Sequence, residues 1–161
     1  MYGTGFPTVF HKNYLLSLDF LDKIEDTFTS LQELENFRKS EFYKEFKKKW
    51  NVSIYFRLRE QEIIPKFELS LQSPPSPSPN PSNYLLIQTT TLWDQLLFAW
   101  NPTIFLFPLL ESFFSLSLEF LSRYSNWIRA FLSSQVSFPF YIFYLNYFTI
   151  ITFLDYFFSI F

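Results

Sequence analysis

Cysteine is absent from this 161-residue chain, histidine occurs once and glycine twice. Without thiols there can be no disulfide framework, no Cys-based zinc site and no cysteine nucleophile. Two glycines are too few to build the phosphate-cradling loops of dinucleotide and P-loop sites. A strong charge of either sign is also missing. Thirteen basic and 15 acidic residues leave a formal charge of −2, too balanced to imply a nucleic-acid partner through bulk electrostatics. What the chain has in excess is aromatic: 24 Phe, 10 Tyr and 4 Trp, which make up half of its 48% hydrophobic content. The length suits about one domain with one modest core.

Composition shifts along the chain. Of the 28 charged residues, 22 precede position 72 and only 6 follow it. The two regimes meet at Ser73-Pro74-Pro75-Ser76-Pro77-Ser78-Pro79-Asn80-Pro81-Ser82, where prolines remove amide donors and bias their predecessors away from helix. That stretch reads as an extended, solvated spacer at 72–83, in preference to a ligand for a proline-binding module. It separates a helical segment at 18–71 from another at 84–130, with an N-terminal extension at 1–17 and an apolar tail at 131–161.

The periodicity predicts about five amphipathic helices. Leu18, Leu21, Ile24 and Phe28 recur at three- and four-residue steps among acidic and basic residues. Ser30-Leu31-Gln32-Glu33 has the form of a capping box opening a second helix, whose apolar stripe is Leu34, Phe37, Phe42, Phe46 and Trp50. Lys47, Lys48 and Lys49 lie near its end, where the helix dipole favours cations; a solvated helix end is preferred there to an anionic-lipid site. A third helix is predicted from Val52 to Ile64, ended or kinked at Pro65. A fourth, short helix lies between Tyr84 and Trp100, closed by Asn101-Pro102. The fifth runs from Leu109 to Arg129, with Ser112, Ser115, Glu119, Ser122, Asn126 and Arg129 as its polar stripe. The fold class is therefore all-α: a multi-helix bundle or rod of amphipathic helices with a Pro-rich loop and an apolar C-terminal segment.

The tail carries no charge between Arg129 and Asp155, and its apolar run at 136–154 is about the ~20 residues needed to cross a bilayer. A membrane segment is one reading. Non-native sequence of U-rich codon composition is a second, and a buried helix a third. No secretory signal is evident at the N-terminus.

No catalytic constellation emerges. His11 has no carboxylates spaced near it to complete a metal site, and reads as a surface imidazole. Glu60 and Glu62, two residues apart on a helix, point to different faces and are poorly placed as an acid and base; solvation or pairing with Arg57 and Arg59 accounts for them. No Gly-x-Ser-x-Gly elbow supports serine hydrolysis. The expectation is no catalytic, cofactor-binding or metal-binding residues, no small-molecule substrate and no nucleic acid. The large aromatics, Phe46, Trp50, Tyr55, Phe56, Trp93, Trp100, Tyr124 and Trp127, are the candidate packing anchors, either in contacts with partners or in the chain's own core.

The stretch Lys48-Lys49-Trp50-Asn51-Val52-Ser53-Ile54-Tyr55-Phe56-Arg57-Leu58-Arg59-Glu60-Gln61-Glu62-Ile63 resembles the C-terminal region of subunit 2 of the conserved oligomeric Golgi complex, through its Trp, Tyr-Phe pair, Arg and Gln-Glu-Ile in that order. Phe20-Leu21-Asp22, Phe37-Arg38, Trp93, Trp100, Pro108-Leu109-Leu110 and Leu118-Glu119-Phe120-Leu121-Ser122-Arg123-Tyr124-Ser125 extend the likeness over roughly 18–129. Glu60 and the pair Ile64-Pro65 depart from the family pattern. The resemblance implies a helical, non-catalytic subunit of a vesicle-tethering complex, peripheral on the cytosolic face of the Golgi membrane. It would act in intra-Golgi retrograde transport, with other subunits of that complex as partners. It also implies that this chain is a fragment of the longer subunit. The alternative is a small helical protein anchored to a membrane at its C-terminus.

Overall fold

The computed structural model describes residues 6–79, 84, 86–135, 151 and 155. The described residues are all-α: α1 (Pro7–Glu25), α2 (Leu31–Lys39), α3 (Glu41–Lys48), α4 (Val52–Gln72), α5 (Ile87–Ala99) and α6 (Leu110–Gln135), with a 3-10 turn at Phe107–Leu109. Among them, extended pairing is limited to an isolated bridge between Pro77 and Leu86. No described helix is long and apolar enough to cross a membrane. The expected segment at 136–154, Ile151 apart, lies outside the described residues.

The chain packs as two units, Met1–Glu62 with Ala99–Leu110 and Ile63–Phe98 with Glu111–Phe161. The helical segments expected at 18–71 and 84–130 each contribute to both. In the first unit α1 starts at Pro7, well before the expected stripe. Proline at N1 loses nothing, because a first-turn amide has no intrahelical partner. Phe10, Tyr14 and Leu21, at helical spacing, are buried on one face of α1. Tyr55, Ala99, Trp100, Ile104, Leu106 and Leu109 are buried with them. Each such side chain stabilises the unit by about 1.5–3 kcal/mol.

The helix expected through 31–50 is two helices. Ser30 caps the first as expected, its Oγ accepting from the Glu33 amide at 3.3 Å. Ser40 then stops α2 and starts α3. Its backbone is extended (φ −62°, ψ 149°), its Oγ donates to the Phe37 carbonyl at 2.6 Å, and the same oxygen accepts from the Tyr43 amide at 3.2 Å. Glu25 at the end of α1 holds the Arg38 guanidinium through both carboxylate oxygens. That hydrogen bond lowers the Glu25 pKa from the ordinary carboxylate value.

In the second unit α4 runs through Pro65 to Gln72, so the predicted stop does not occur. An interior proline costs ~3 kcal/mol through the lost amide and ring clash. Here it is flanked by Ile63 and Phe67, both fully buried, whose burial offsets that cost. Phe67 stacks on Phe120 with ring centroids 4.4 Å apart. Leu92, Leu96, Phe113 and Phe120 are likewise buried. On α6 the predicted polar stripe faces solvent, apart from the half-buried Ser112. Arg123 pairs with both Glu68 and Glu119.

The Pro/Ser-rich stretch is not solvated throughout, contrary to expectation. Gln88, fully buried, donates from Nε2 to the Pro74 carbonyl at 2.9 Å, and its Oε1 accepts from the Ser76 amide at 3.4 Å. The Ile87 amide donates to the Ser76 carbonyl at 3.0 Å, and the buried Ser78 shares a hydrogen bond with Thr90 at 3.2 Å. Prolines leave a run of carbonyls with few competing donors, and the start of α5 supplies donors from its orphan amides and Gln88.

Candidate functional site

The predicted anchors fall into two groups, one in each unit. In the first, Tyr55 is buried and its ring stacks on Phe10 at 5.2 Å. Trp50 meets Phe10 and Tyr14 edge-on at 5.4 and 5.6 Å. Such geometries align positive ring edges with negative faces, adding about 0.5–1.5 kcal/mol per pair beyond burial. The Tyr55 hydroxyl donates to the Ile104 carbonyl and accepts from Arg59 Nε at 3.1 Å. Arg59 is itself buried. Its guanidinium lies 5.2 Å from the Tyr55 ring centroid and pairs with Glu62 at 2.7 Å. The expected pairing of the Glu60–Glu62 stretch with an arginine is thus realised by Glu62 and Arg59, with the guanidinium acting as a packing element.

His11 corrects the expectation of a surface imidazole. It is buried, and its Nε2–H donates to the Phe105 carbonyl at 3.1 Å. Together His11 and Tyr55 fasten the backbone at 104–105, beside Trp100, whose ring lies 5.1 Å from that of Phe105. These polar groups satisfy carbonyls that would otherwise be buried without a donor. Burial raises the Tyr55 pKa above the ordinary phenol value, against the opposing hydrogen bond from Arg59. Tyr14 is raised by burial too, with Lys47 acting the other way.

Phe46 and Trp50 are half-buried and line a cleft of about 360 Å³ with Asn13, Leu16, Ser17 and Lys49. A second cleft, of about 550 Å³, is lined by Thr8, His11, Lys12, Leu15, Leu16 and Asp19 of α1 and by the Pro102-Thr103 turn, so Leu16 borders both clefts. Phe56 is half-buried on α4.

In the second unit Tyr124 is buried, its hydroxyl sharing a 2.6 Å hydrogen bond with Thr89. Burial raises its pKa, the Thr89 bond opposing. Trp127 is half-buried between Tyr124 and Phe131, at centroid distances of 5.9 and 6.3 Å. Trp93 is half-buried beside Tyr84 at 6.2 Å. Among the described residues no group of three His, Asp or Glu side chains is placed to hold a metal ion. Sequence reasoning missed Phe10 and Tyr14, which lay in the expected extension, and placed His11 at the surface. The signal was present in Pro7 as a helix start, followed by apolar residues at 10, 14 and 21.

These features define an all-α protein whose aromatic side chains and buried polar groups serve packing and the fastening of loops. Residues 48–139 match the family model described as COG complex component, COG2, C-terminal, and the chain belongs to that family. It is 37% identical over 142 residues to conserved oligomeric Golgi complex subunit 2 of Arabidopsis thaliana, covering 84% of this chain and 19% of that protein. To the human subunit 2 it is 31% identical over 129 residues, covering 80% and 18%. To that of Dictyostelium discoideum it is 32% identical over 146 residues, covering 80% and 16%. The chain thus spans about a fifth of the length of the curated relatives it matches. No solved structure matches it.

Proposed function

We propose that this chain is the C-terminal part of a Golgi vesicle-tethering subunit, acting in intra-Golgi retrograde transport by protein–protein contact and not by catalysis. The observation that carries this reading is the family match across 48–139, which contains seven of the eight anchors, Phe46 lying just before it. Its partners are other subunits of the tethering complex, and its place is the cytosolic face of the Golgi membrane, held peripherally. The anchors divide by burial. Tyr55, Trp100 and Tyr124 hold the fold, while the half-buried Phe46, Trp50, Phe56, Trp93 and Trp127 keep surface for partners. The test is affinity purification of the tagged chain from cells, with fractionation alongside. Co-purification of the tethering subunits, Golgi localisation and release by alkaline carbonate are expected. Absence of those subunits from the purified material, or retention of the chain in carbonate-washed membranes, would overturn it.

A further inference from the structure

α1 carries two apolar stripes, and its own unit covers only one. Phe10, Tyr14 and Leu21 are buried, whereas Val9, Leu16 and Phe20 are 48%, 57% and 52% exposed. Steps of seven and four residues place Val9, Leu16 and Phe20 on one helix face, along about 16 Å of axis. Leu16 also forms part of the cleft that contains Phe46, Trp50 and Lys49, so the stripe continues into a recess between α1 and the end of α3. Scattered exposed leucines need no explanation, but a periodic stripe opening into an aromatic cleft presents a groove of the kind that takes an amphipathic helix.

Charge narrows the occupant. Lys49 stands in the cleft wall, and Lys44, Lys48 and Arg57 are exposed on the same stretch of chain, none with a carboxylate partner among the described residues. From 44 to 57 the only carboxylate is Glu45. A local cationic surface on a chain whose net charge is −2 is complementary to an acidic partner. A second copy of this chain would bring the same lysines against themselves across a two-fold contact.

We propose that the groove formed by Val9, Leu16 and Phe20 with Phe46, Lys49 and Trp50 receives an amphipathic helix with acidic edges from another polypeptide. This deepens the subunit reading above and rests on it. The partner helix places large apolar side chains at three- and four-residue spacing into the cleft and carboxylates beside Lys49.

The test titrates the whole 161-residue chain into a fluorescein-labelled helical peptide of about 20 residues with one leucine face and glutamates along both edges. A counterpart with lysines at the glutamate positions serves as control. Vesicles of phosphatidylcholine with and without phosphatidylserine, and sedimentation velocity of the chain alone, run in parallel. The acidic peptide binds, salt weakens it, and Leu16→Glu and Lys49→Glu each weaken it about tenfold or more. Both positions are exposed, so circular dichroism should be unchanged; if Leu16→Glu loses helix, Phe20→Ser and Lys49→Glu carry the test. Equal binding of the two peptides, or indifference to all three variants, overturns the proposal. Binding to phosphatidylserine vesicles without peptide binding overturns it in favour of a membrane, and a dimer abolished by Leu16→Glu in favour of self-association. Co-purification with tethering subunits is read separately, so a failed titration leaves the subunit reading standing while removing this groove.

Discussion

The two units are built from the same aromatic-rich composition but use it differently. In the first, the buried rings carry polar tips, and those tips hold backbone: His11 and Tyr55 donate to the carbonyls of Phe105 and Ile104. In the second, the largest buried cluster is hydrocarbon, with Phe67 against Phe120 beside Ile63, Leu92, Leu96 and Phe113, while the buried polar groups Ser117, Tyr124 and Gln88 bond to Phe113, Thr89 and the proline stretch around it. Hydrocarbon packing depends on volume, so it is non-directional and tolerant in detail. A buried hydrogen bond is directional, and losing one partner leaves the other unsatisfied. The first unit should therefore be sensitive to single atoms and the second to cavities.

The largest expected effect is in the hydrocarbon cluster. Phe67→Ala should cost about 3–5 kcal/mol in urea unfolding, because it removes a fully buried ring and leaves a cavity against Phe120. Hydrogen exchange should accelerate first at the amides of Phe113 and Phe120. Equal acceleration at the amides of α1 would show that the two units do not differ in the way described.

Tyr55→Phe removes one oxygen and should cost about 2 kcal/mol, because it orphans the Ile104 carbonyl and the Arg59 Nε–H in a buried site. Tyr124→Phe, whose hydroxyl bonds Thr89 in the second unit, should cost about 1 kcal/mol. Reversal of that order in denaturant melts would undo the contrast between directional and hydrocarbon packing.

Alkaline pH probes both units together. Burial raises the pKa of Tyr55 and Tyr124 in the folded chain, so the unfolded chain loses those protons first. Their contribution is fully present below the unfolded tyrosine value of about 10 and is lost as pH rises through the folded values. Stability followed by circular dichroism should fall above pH ~10, and the double variant Tyr55→Phe/Tyr124→Phe should flatten that limb.

The smallest effect is at Glu25. Its pKa is lowered by the Arg38 hydrogen bond, so its contribution is present above the unfolded carboxylate value and is lost as pH falls through the folded one. Glu25→Gln should flatten the acid limb of the stability curve by lowering the neutral melting point slightly, less than either tyrosine variant does.

Much of the helical content was legible because it depends on local pattern. α6 followed its serine stripe, and Ser30 capped α2 as its capping box predicted. The break at Ser40 was missed, although the five-residue step from Phe37 to Phe42, which no helix keeps on one face, already signalled it. Pro65 misled for the opposite reason. Local rules assign the proline a penalty, but burial of Ile63 and Phe67, decided by residues distant in sequence, outweighs it. Among the candidate anchors, sequence selected the large aromatics as one set. It could not separate the buried Tyr55, Trp100 and Tyr124 from the half-exposed Phe46, Trp50, Phe56, Trp93 and Trp127, because burial depends on which elements meet.

By itself, then, the sequence determined the all-α class, the absence of thiol chemistry and the family, since these follow from composition, periodicity and residue order. Only the tertiary structure decided that His11 is buried against a carbonyl 94 residues away, that Gln88 fastens the prolines, and that one stripe of α1 remains uncovered. Those outcomes depend on which donor reaches which acceptor and which face finds a neighbour, and partners so far apart along the chain are set by packing.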